Sequence, residues 1–290
     1  MSDVYETDDA QGEGWRLMLG DSCERMAEIP SSTVDLSIFS PPFANLYTYS
    51  PSVRDLGNSK DREEFLEHFD FVLQGLRRVT RPGRLACVHV QQLSTTKATH
   101  GIIGLTDFRG QVIAAFQKRA WIFHAEVTID KDPQAQAIRT KAQALMFGTL
   151  NRDSAMSRPA MADYLLMFRA PGDNSTAIKP DCDNETWIEW ARPVWYDIRE
   201  TDTLNARVAR EDADERHICP LQLPLIERCV RLWSNQGEHI FSPFAGIGSE
   251  GVVAVEQGRT FTGIELKRSY WQTAVENLDT ATRQLALEAA

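Results

Sequence analysis

Val34-Asp35-Leu36-Ser37-Ile38-Phe39 runs without a break into Ser40-Pro41-Pro42-Phe43, an apolar stretch closed by two prolines. The run predicts a buried strand, and the tetrapeptide predicts a rigid loop at its carboxyl end. Each proline fixes its own φ, lacks an N–H and pushes the preceding residue out of the helical region. Ser40 is therefore held extended, and the nearby carbonyls stay out of sheet pairing. Fixed acceptors at the carboxyl end of a strand are where open α/β sheets carry their chemistry. A serine oxygen, the Pro41 carbonyl and the Phe43 ring suit a planar amino-heterocycle: the oxygens accept from its NH₂ and the ring stacks on its face. Taken alone, the tetrapeptide is equally readable as a plain turn that contains Pro-Pro.

A second loop lies some two hundred residues on. After the expected strand Glu238-His239-Ile240-Phe241 comes Ser242-Pro243-Phe244-Ala245-Gly246-Ile247-Gly248-Ser249-Glu250-Gly251, then a helical run and Thr260-Phe261-Thr262-Gly263-Ile264-Glu265. Gly246, Gly248 and Gly251 satisfy G-x-G-x-x-G between a strand and a helix. Glycine lets backbone approach a ligand closely, and an acidic residue about 20 positions on, here Glu265, can accept from ribose hydroxyls. The pattern reads as a nucleoside-cofactor site. A glycine-rich turn before an ordinary core strand leaves Glu265 unexplained.

Thirty-nine residues follow Gly251, room for one helix, one strand and one further helix. A dinucleotide domain that starts at its fingerprint needs more chain. The expectation is a sheet completed by earlier strands, with the catalytic half first and the cofactor half last.

With both loops in this order, the chain resembles the S-adenosylmethionine-dependent DNA amino-methyltransferases that modify cytosine N4 or adenine N6, in their permuted beta group. Ser40 to Phe43 matches the family's Asp/Asn/Ser-Pro-Pro-aromatic tetrapeptide, and Ser242 to Gly248 its Asp-Pro-Phe-x-Gly-x-Gly loop. Gly20-Asp21, Arg78 to Leu85 and His217 to Leu221 are similar as well. The resemblance implies an α/β, Rossmann-like methyltransferase fold with a mostly parallel, doubly wound and circularly permuted sheet. It implies S-adenosyl-L-methionine as cofactor, with Asp21 at its adenine, Glu265 at its ribose, Ser242, Phe244, Gly246 and Gly248 along its body, and Pro220 at its methionine end. Ser40, Pro41, Pro42 and Phe43 are then catalytic, on a base extruded from the duplex. Serine at the first position favours cytosine N4; adenine N6 is the alternative. The implied partners are double-stranded DNA, a second copy of the chain, and either a companion restriction nuclease or none. One departure stands out: the loop begins with Ser242 where the family usually has Asp. A neutral hydroxyl bonds a cationic group about half as strongly as a carboxylate does. Either a neighbour such as Glu250 compensates or cofactor affinity is lower.

At 290 residues and 42% hydrophobic content, the chain suffices for one large α/β core. No apolar run reaches membrane-spanning length, so a cytoplasmic protein is expected. Cys23, Cys87, Cys182, Cys219 and Cys229 include no C-x-x-C pair, which argues for reduced thiols and no metal centre.

The net charge of −10 weighs against a polyanionic partner until it is mapped. Residues 1–13 hold five acids and no bases, and residues 181–216 hold eleven acids against five arginines, so the rest of the chain is near neutral. Residues 1–13 read as a disordered acidic tail with little to bury, leaving 14–290 as one domain. Within it, 131–158 and 173–216 are candidate DNA-contact or target-recognition insertions. Lys131, Arg139, Lys141, Arg152 and Arg158 face only Asp132 and Asp153, a basic stretch suited to phosphates or to a solvated helix face. Trp187, Trp190, Trp195 and Tyr196 read as a small satellite core or as base-stacking platforms. Residues 45–60 have the composition of a closing loop.

Periodicity predicts helices over 62–79, 112–120, 221–232 and 270–285, and strands over 16–19, 34–39, 85–90, 121–129 and 164–168. Two remoter readings use the same residues. A non-catalytic regulator has no need of the intact Ser40 loop, and a nicotinamide-dependent dehydrogenase has none of the Pro-Pro acceptors.

Overall fold

The computed structural model describes residues 6–42, 62–95, 97–204 and 220–288. Eleven strands are seen among them: β1 (Asp8–Gly12), β2 (Trp15–Leu19), β3 (Val34–Phe39), β4 (Thr80–Gln91), β5 (Leu93–Thr95), β6 (Gly104–Thr106), β7 (Ile122–Ile129), β8 (Asp163–Arg169), β9 (Val194–Trp195), β10 (His239–Ser242) and β11 (Thr260–Glu265). The helices are α1 (Ser22–Met26), α2 (Arg62–Val79), α3 (Lys97–His100), α4 (Phe108–Lys118), α5 (Pro133–Thr140), α6 (Phe147–Arg152), α7 (Asn184–Trp190), α8 (Leu223–Trp233), α9 (Ser249–Glu256) and α10 (Arg268–Glu288).

Nine strands form one sheet in the order β1-β2-β11-β10-β3-β4-β8-β7-β9, and β5 and β6 form a separate hairpin. The five strands from β2 to β4 run parallel, while β8 enters antiparallel to β4 and β7. Strands buried on both faces read as apolar runs. β4 shows the alternation directly: Leu85 and Cys87 enter one core layer, and Ala86, Val88 and Val90 enter the other. The first layer is completed by α8, α9 and α10, the second by α1, α2 and α4. The sheet is thus doubly wound and covered on both faces.

The permuted order expected from the two loops is present. β10 and β11, from the later part of the chain, are inserted between β2 and β3. β10 is where connections diverge, toward β11 on one side and from β3 toward β4 on the other, and open sheets bind ligands at such a crevice.

Residues 8–12 differ from the disordered tail expected over 1–13. Residues 1–5 lie outside the described residues, but Asp8–Gly12 is an edge strand paired antiparallel with β2. The two-residue turn Glu13-Gly14 joins them, with Gly14 at φ +77, a conformation open to glycine. The acids find partners while remaining exposed: Asp9 bonds Arg16 and Arg25, and Arg268 reaches Glu6 at 2.5 Å and Asp8 at 3.1 Å. Composition registered the charge but not the arginines that answer it.

The tryptophans separate as well. Trp195 is 1% exposed and belongs to the main core, with Arg228 over its ring. Trp187 and Tyr196 are exposed. Cys23, Cys87, Cys182 and Cys229 are free thiols. Phe43, Cys219 and residues 45–60 lie outside the described residues.

Candidate active site

Four loops leave the carboxyl ends of the parallel strands β2, β11, β10 and β3 side by side, and short hydrogen bonds tie three of them together. Gly20 N–H donates to the Glu265 carbonyl at 2.8 Å, the Ser22 hydroxyl donates to the Pro243 carbonyl, and Ala245 N–H donates to the Ile264 carbonyl at 2.8 Å. Asp21 caps α1 by accepting from Cys23 N–H at 2.8 Å. The Glu265 carboxylate accepts from Gly246 N–H and Lys267 N–H, both at 2.8 Å. Those two donors fix its orientation at the carboxyl end of β11.

The glycines have separate reasons to be there. Gly246 sits at φ +53, and a Cβ built there meets nothing within 4 Å, so its backbone faces open space. Gly248 sits at φ +85 as the N-cap of α9. Gly251 lets α9 settle on the sheet, since a Cβ there would lie 2.5 Å from the Phe261 ring. Ser242 Oγ and Ser249 Oγ are buried and, among the described residues, lack a hydrogen-bond partner. Open backbone, buried polar atoms awaiting partners and an oriented carboxylate fit a nucleoside cofactor. Glu250, inside the same loop, is fully buried; burial, with the negative charge of Glu265 adding to it, pushes its carboxyl up to about 8.

Ser40 lies on the neighbouring strand. Phe241 pairs with Ser37 across β10 and β3, so the residues three further on, Phe244 and Ser40, leave the sheet together. Phe244 meets Phe39 edge-on, with ring centroids 5.8 Å apart. The two loops singled out in the sequence therefore flank one crevice.

Sequence reading missed what stands behind Ser40. Its Oγ lies 2.7 Å from His89 Nδ1, and His89 Nε2 lies 3.0 Å from Asp163 Oδ2. Lys131 Nζ reaches the same Asp163 oxygen at 2.6 Å and Glu200 at 3.5 Å. Sheet register assembles this line. Phe39 pairs with Val88, setting Ser40 beside His89; Gln91 pairs with Asp163, two residues along the same face; Ile129 also pairs with Asp163, bringing in Lys131. Burial alone would raise the Asp163 carboxyl, but His89 and Lys131 outweigh it and hold it below the usual carboxylate range. The signal available beforehand was weak: one histidine in the apolar run 85–90 and one aspartate opening the strand at 164.

This removes Lys131 from the expected phosphate contacts. Its side chain is 3% exposed and its ammonium is committed to Asp163. Lys141 and Arg152 are exposed, and Arg158 is half-buried with one guanidinium N–H on the Pro159 carbonyl at 3.0 Å. The side chain of Arg139 lies outside the described residues, and Pro220 is half-buried ahead of α8.

Comparison with known proteins agrees with this architecture. The family model described as DNA methylase, of the N6/N4 type, matches residues 34–276. The type II methyltransferase M.Cfr9I of Citrobacter freundii is 34% identical over 302 aligned positions, covering 95% of this chain and 91% of that one. Several other curated relatives match over shorter stretches, and the chain spans between 23% and 31% of the length of three of them. Among solved structures, a DNA modification methylase of Thermus thermophilus, complexed with S-adenosyl-L-methionine, shares the fold with a TM-score of 0.65 and 22% identity over 91% of this chain and 94% of that one. The cytosine-N4-specific PvuII DNA methyltransferase does so with a TM-score of 0.65 and 14% identity over 93% of this chain and 90% of that one. With the family model covering most of the chain and a relative of this identity along nearly all of it, the chain belongs to the N6/N4 DNA methylase family.

Proposed function

We propose that this protein transfers a methyl group from S-adenosyl-L-methionine to the exocyclic amine of a base extruded from duplex DNA, with cytosine N4 the favoured acceptor and adenine N6 the alternative. The observation that carries the reading is the shared crevice: Ser40 and the glycine loop leave adjacent parallel strands in register, so an acceptor and a methyl donor held by them meet. An amine inside the base stack has no access to such a crevice, hence the extrusion.

The bound cofactor supplies an electrophilic methyl group on a sulfonium. The chain's own residues do the rest. Glu265 receives the ribose hydroxyls, Gly246 and Gly248 offer close backbone, Ser242, Ser249 and Phe244 line the body, and Asp21 and Pro220 border the two ends. Ser40 Oγ and the Pro41 carbonyl accept from the target NH₂, which turns the nitrogen lone pair out of ring conjugation. Phe43 stacks on the base. Pro42 keeps the loop rigid. Serine at the first position supports cytosine by the family resemblance, and PvuII methyltransferase, whose name gives cytosine N4, shares the fold.

On the DNA side, Arg139, Lys141, Arg152 and Arg158 are proposed phosphate contacts around α5 and α6. A second copy of the chain, and either a companion nuclease or none, belong to the same proposal as partners. Among the described residues, no helix is long and apolar enough to cross a membrane. Mass spectrometry of nucleosides from duplex DNA incubated with protein and cofactor tests the whole reading. N4-methylcytosine is the expected product; N6-methyladenine without it would reassign the base, and neither product would end the proposal.

A further inference from the structure

A serine hydroxyl carries one proton and two lone pairs, so it accepts cleanly from a target amine only when its own proton is committed elsewhere. We infer that His89 is the residue that takes it. On this inference, which rests on the proposed methyl transfer, His89 Nδ1 accepts the Ser40 proton and makes Oγ an acceptor only. Asp163 and Lys131 are the groups that hold His89 in the required form.

The tautomer follows from the partners. Lys131 at 2.6 Å keeps Asp163 ionised, and an ionised carboxylate 3.0 Å from Nε2 demands a proton on that nitrogen. In a neutral ring, Nδ1 is then the bare, accepting nitrogen, and it faces Ser40 Oγ at 2.7 Å. The His89 carbonyl, at 3.1 Å from the same hydroxyl, is the longer alternative. Ser40, His89 and Asp163 resemble in their roles a hydroxyl, an imidazole base and an orienting carboxylate. Here, however, the hydroxyl does not attack. It receives.

The proton balance closes through the same atoms. As the amine nitrogen's lone pair forms the N–CH₃ bond and the S–CH₃ pair returns to sulfur, the nitrogen becomes positively charged. Its proton passes to Ser40 Oγ while the Ser40 proton passes to His89 Nδ1, and the N–H pair stays on nitrogen. The imidazolium formed lies against ionised Asp163, with Lys131 and Glu200 as the other charged groups on that side among the described residues. Its proton then leaves to solvent, which restores the ring.

Histidine-selective ¹⁵N NMR of the cofactor-free protein at pH 8 tests the arrangement without any turnover. The expected spectrum shows His89 protonated at Nε2 and bare at Nδ1; a ring protonated at Nδ1, alone or as imidazolium, overturns the inference. A mutant cycle then reads the role. His89→Gln should lower kcat by about 10²-fold, the size typical of a positioned acid–base group, with cofactor affinity unchanged. In a Ser40→Asp background, whose carboxylate is already an acceptor, the same change should cost less than about threefold, because little acid–base assistance is left to lose. Equal losses in both backgrounds, no loss in either, or an inactive Ser40→Asp enzyme would each overturn it. Absence of any methylated nucleoside with the unaltered protein refutes the proposed function itself and leaves the NMR result to stand alone.

Discussion

Asp163 and Glu250 are both sealed inside the protein, one in each half of the crevice, and burial acts on them in the same direction. Their outcomes are opposite. Asp163 has His89 at 3.0 Å and Lys131 at 2.6 Å and stays ionised; Glu250 lies in the glycine loop near the like charge of Glu265 and is pushed up to about 8. The difference separates two ways of building a site. The half behind Ser40 answers its buried carboxylate with a lysine and a histidine of the same chain. The cofactor half holds a carboxylate whose natural counter-charge is cationic, and the proposed methyl donor brings a sulfonium and an ammonium.

The largest expected effect comes from breaking the balanced half. Asp163→Ala leaves the Lys131 ammonium buried without its carboxylate, and losing one partner of a buried pair costs about 3–5 kcal/mol. Urea denaturation should show that loss. A mutant within about 1 kcal/mol of the parent, the scale of an exposed pair, would mean that Asp163 is not sealed as described.

Glu250→Gln probes the other half, and its sign is reversed. Between 4.5 and about 8 the unfolded chain has released a proton that folded Glu250 retains, so fewer protons are bound on unfolding and stability falls as pH rises through that window. The amide removes this penalty. The cofactor-free mutant should be the more stable protein at pH 8, with a flatter stability profile, while its affinity for S-adenosylmethionine drops. In the parent, calorimetry in buffers of different ionisation heat should detect proton release on binding. A pH-independent difference between the two proteins would refute the linkage.

Ser242→Asp sharpens the same contrast. If Glu250 already supplies the negative charge, a second carboxylate should leave cofactor affinity within about threefold, less than a full 1.4 kcal/mol step. A tenfold gain would show instead that the loop lacks the charge its first residue usually brings.

The smallest effect concerns two lysines from one basic stretch. Lys141 is exposed and Lys131 is not. Lys141→Ala should reduce the slope of log affinity for DNA against log salt by about 0.9, one phosphate's worth, with turnover on saturating DNA unchanged. An unaltered slope removes Lys141 from the DNA face.

Much of this was legible in the sequence because it is written locally. α2 occupies 62–79, the stretch its spacing predicted, and both loops follow the strands that their apolar runs announced. That earlier strands complete the sheet around the late β10 and β11 followed from the order of two motifs; the insertion between β2 and β3 did not. The line behind Ser40 was not legible, for a physical reason. Ser40 and His89 are 49 residues apart and His89 and Asp163 are 74, and only ladder register across two strand pairs makes them neighbours. Periodicity says which residues face inward, not which inward-facing residues touch. Lys131 was misread for the same reason: its charge is visible in the sequence, and the aspartate that buries it is not. The edge strand Asp8–Gly12 adds a third case, since composition counts acids without locating Arg16, Arg25 and Arg268.

Inserting β10 and β11 between β2 and β3 also has a consequence in time. A chain emerging from the ribosome makes Trp15–Leu19 and Val34–Phe39 early, yet these strands never pair with each other; each waits for a partner made about two hundred residues later. Until then both carry open edges, which is where nascent sheets mispair. We predict that nascent chains stalled before His239 resist protease poorly and that chains extended past Glu265 become resistant; equal resistance at both lengths would refute this. The donor loop and the acceptor loop would then become a working pair in one step, so that half-made enzyme has no chemistry to misdirect.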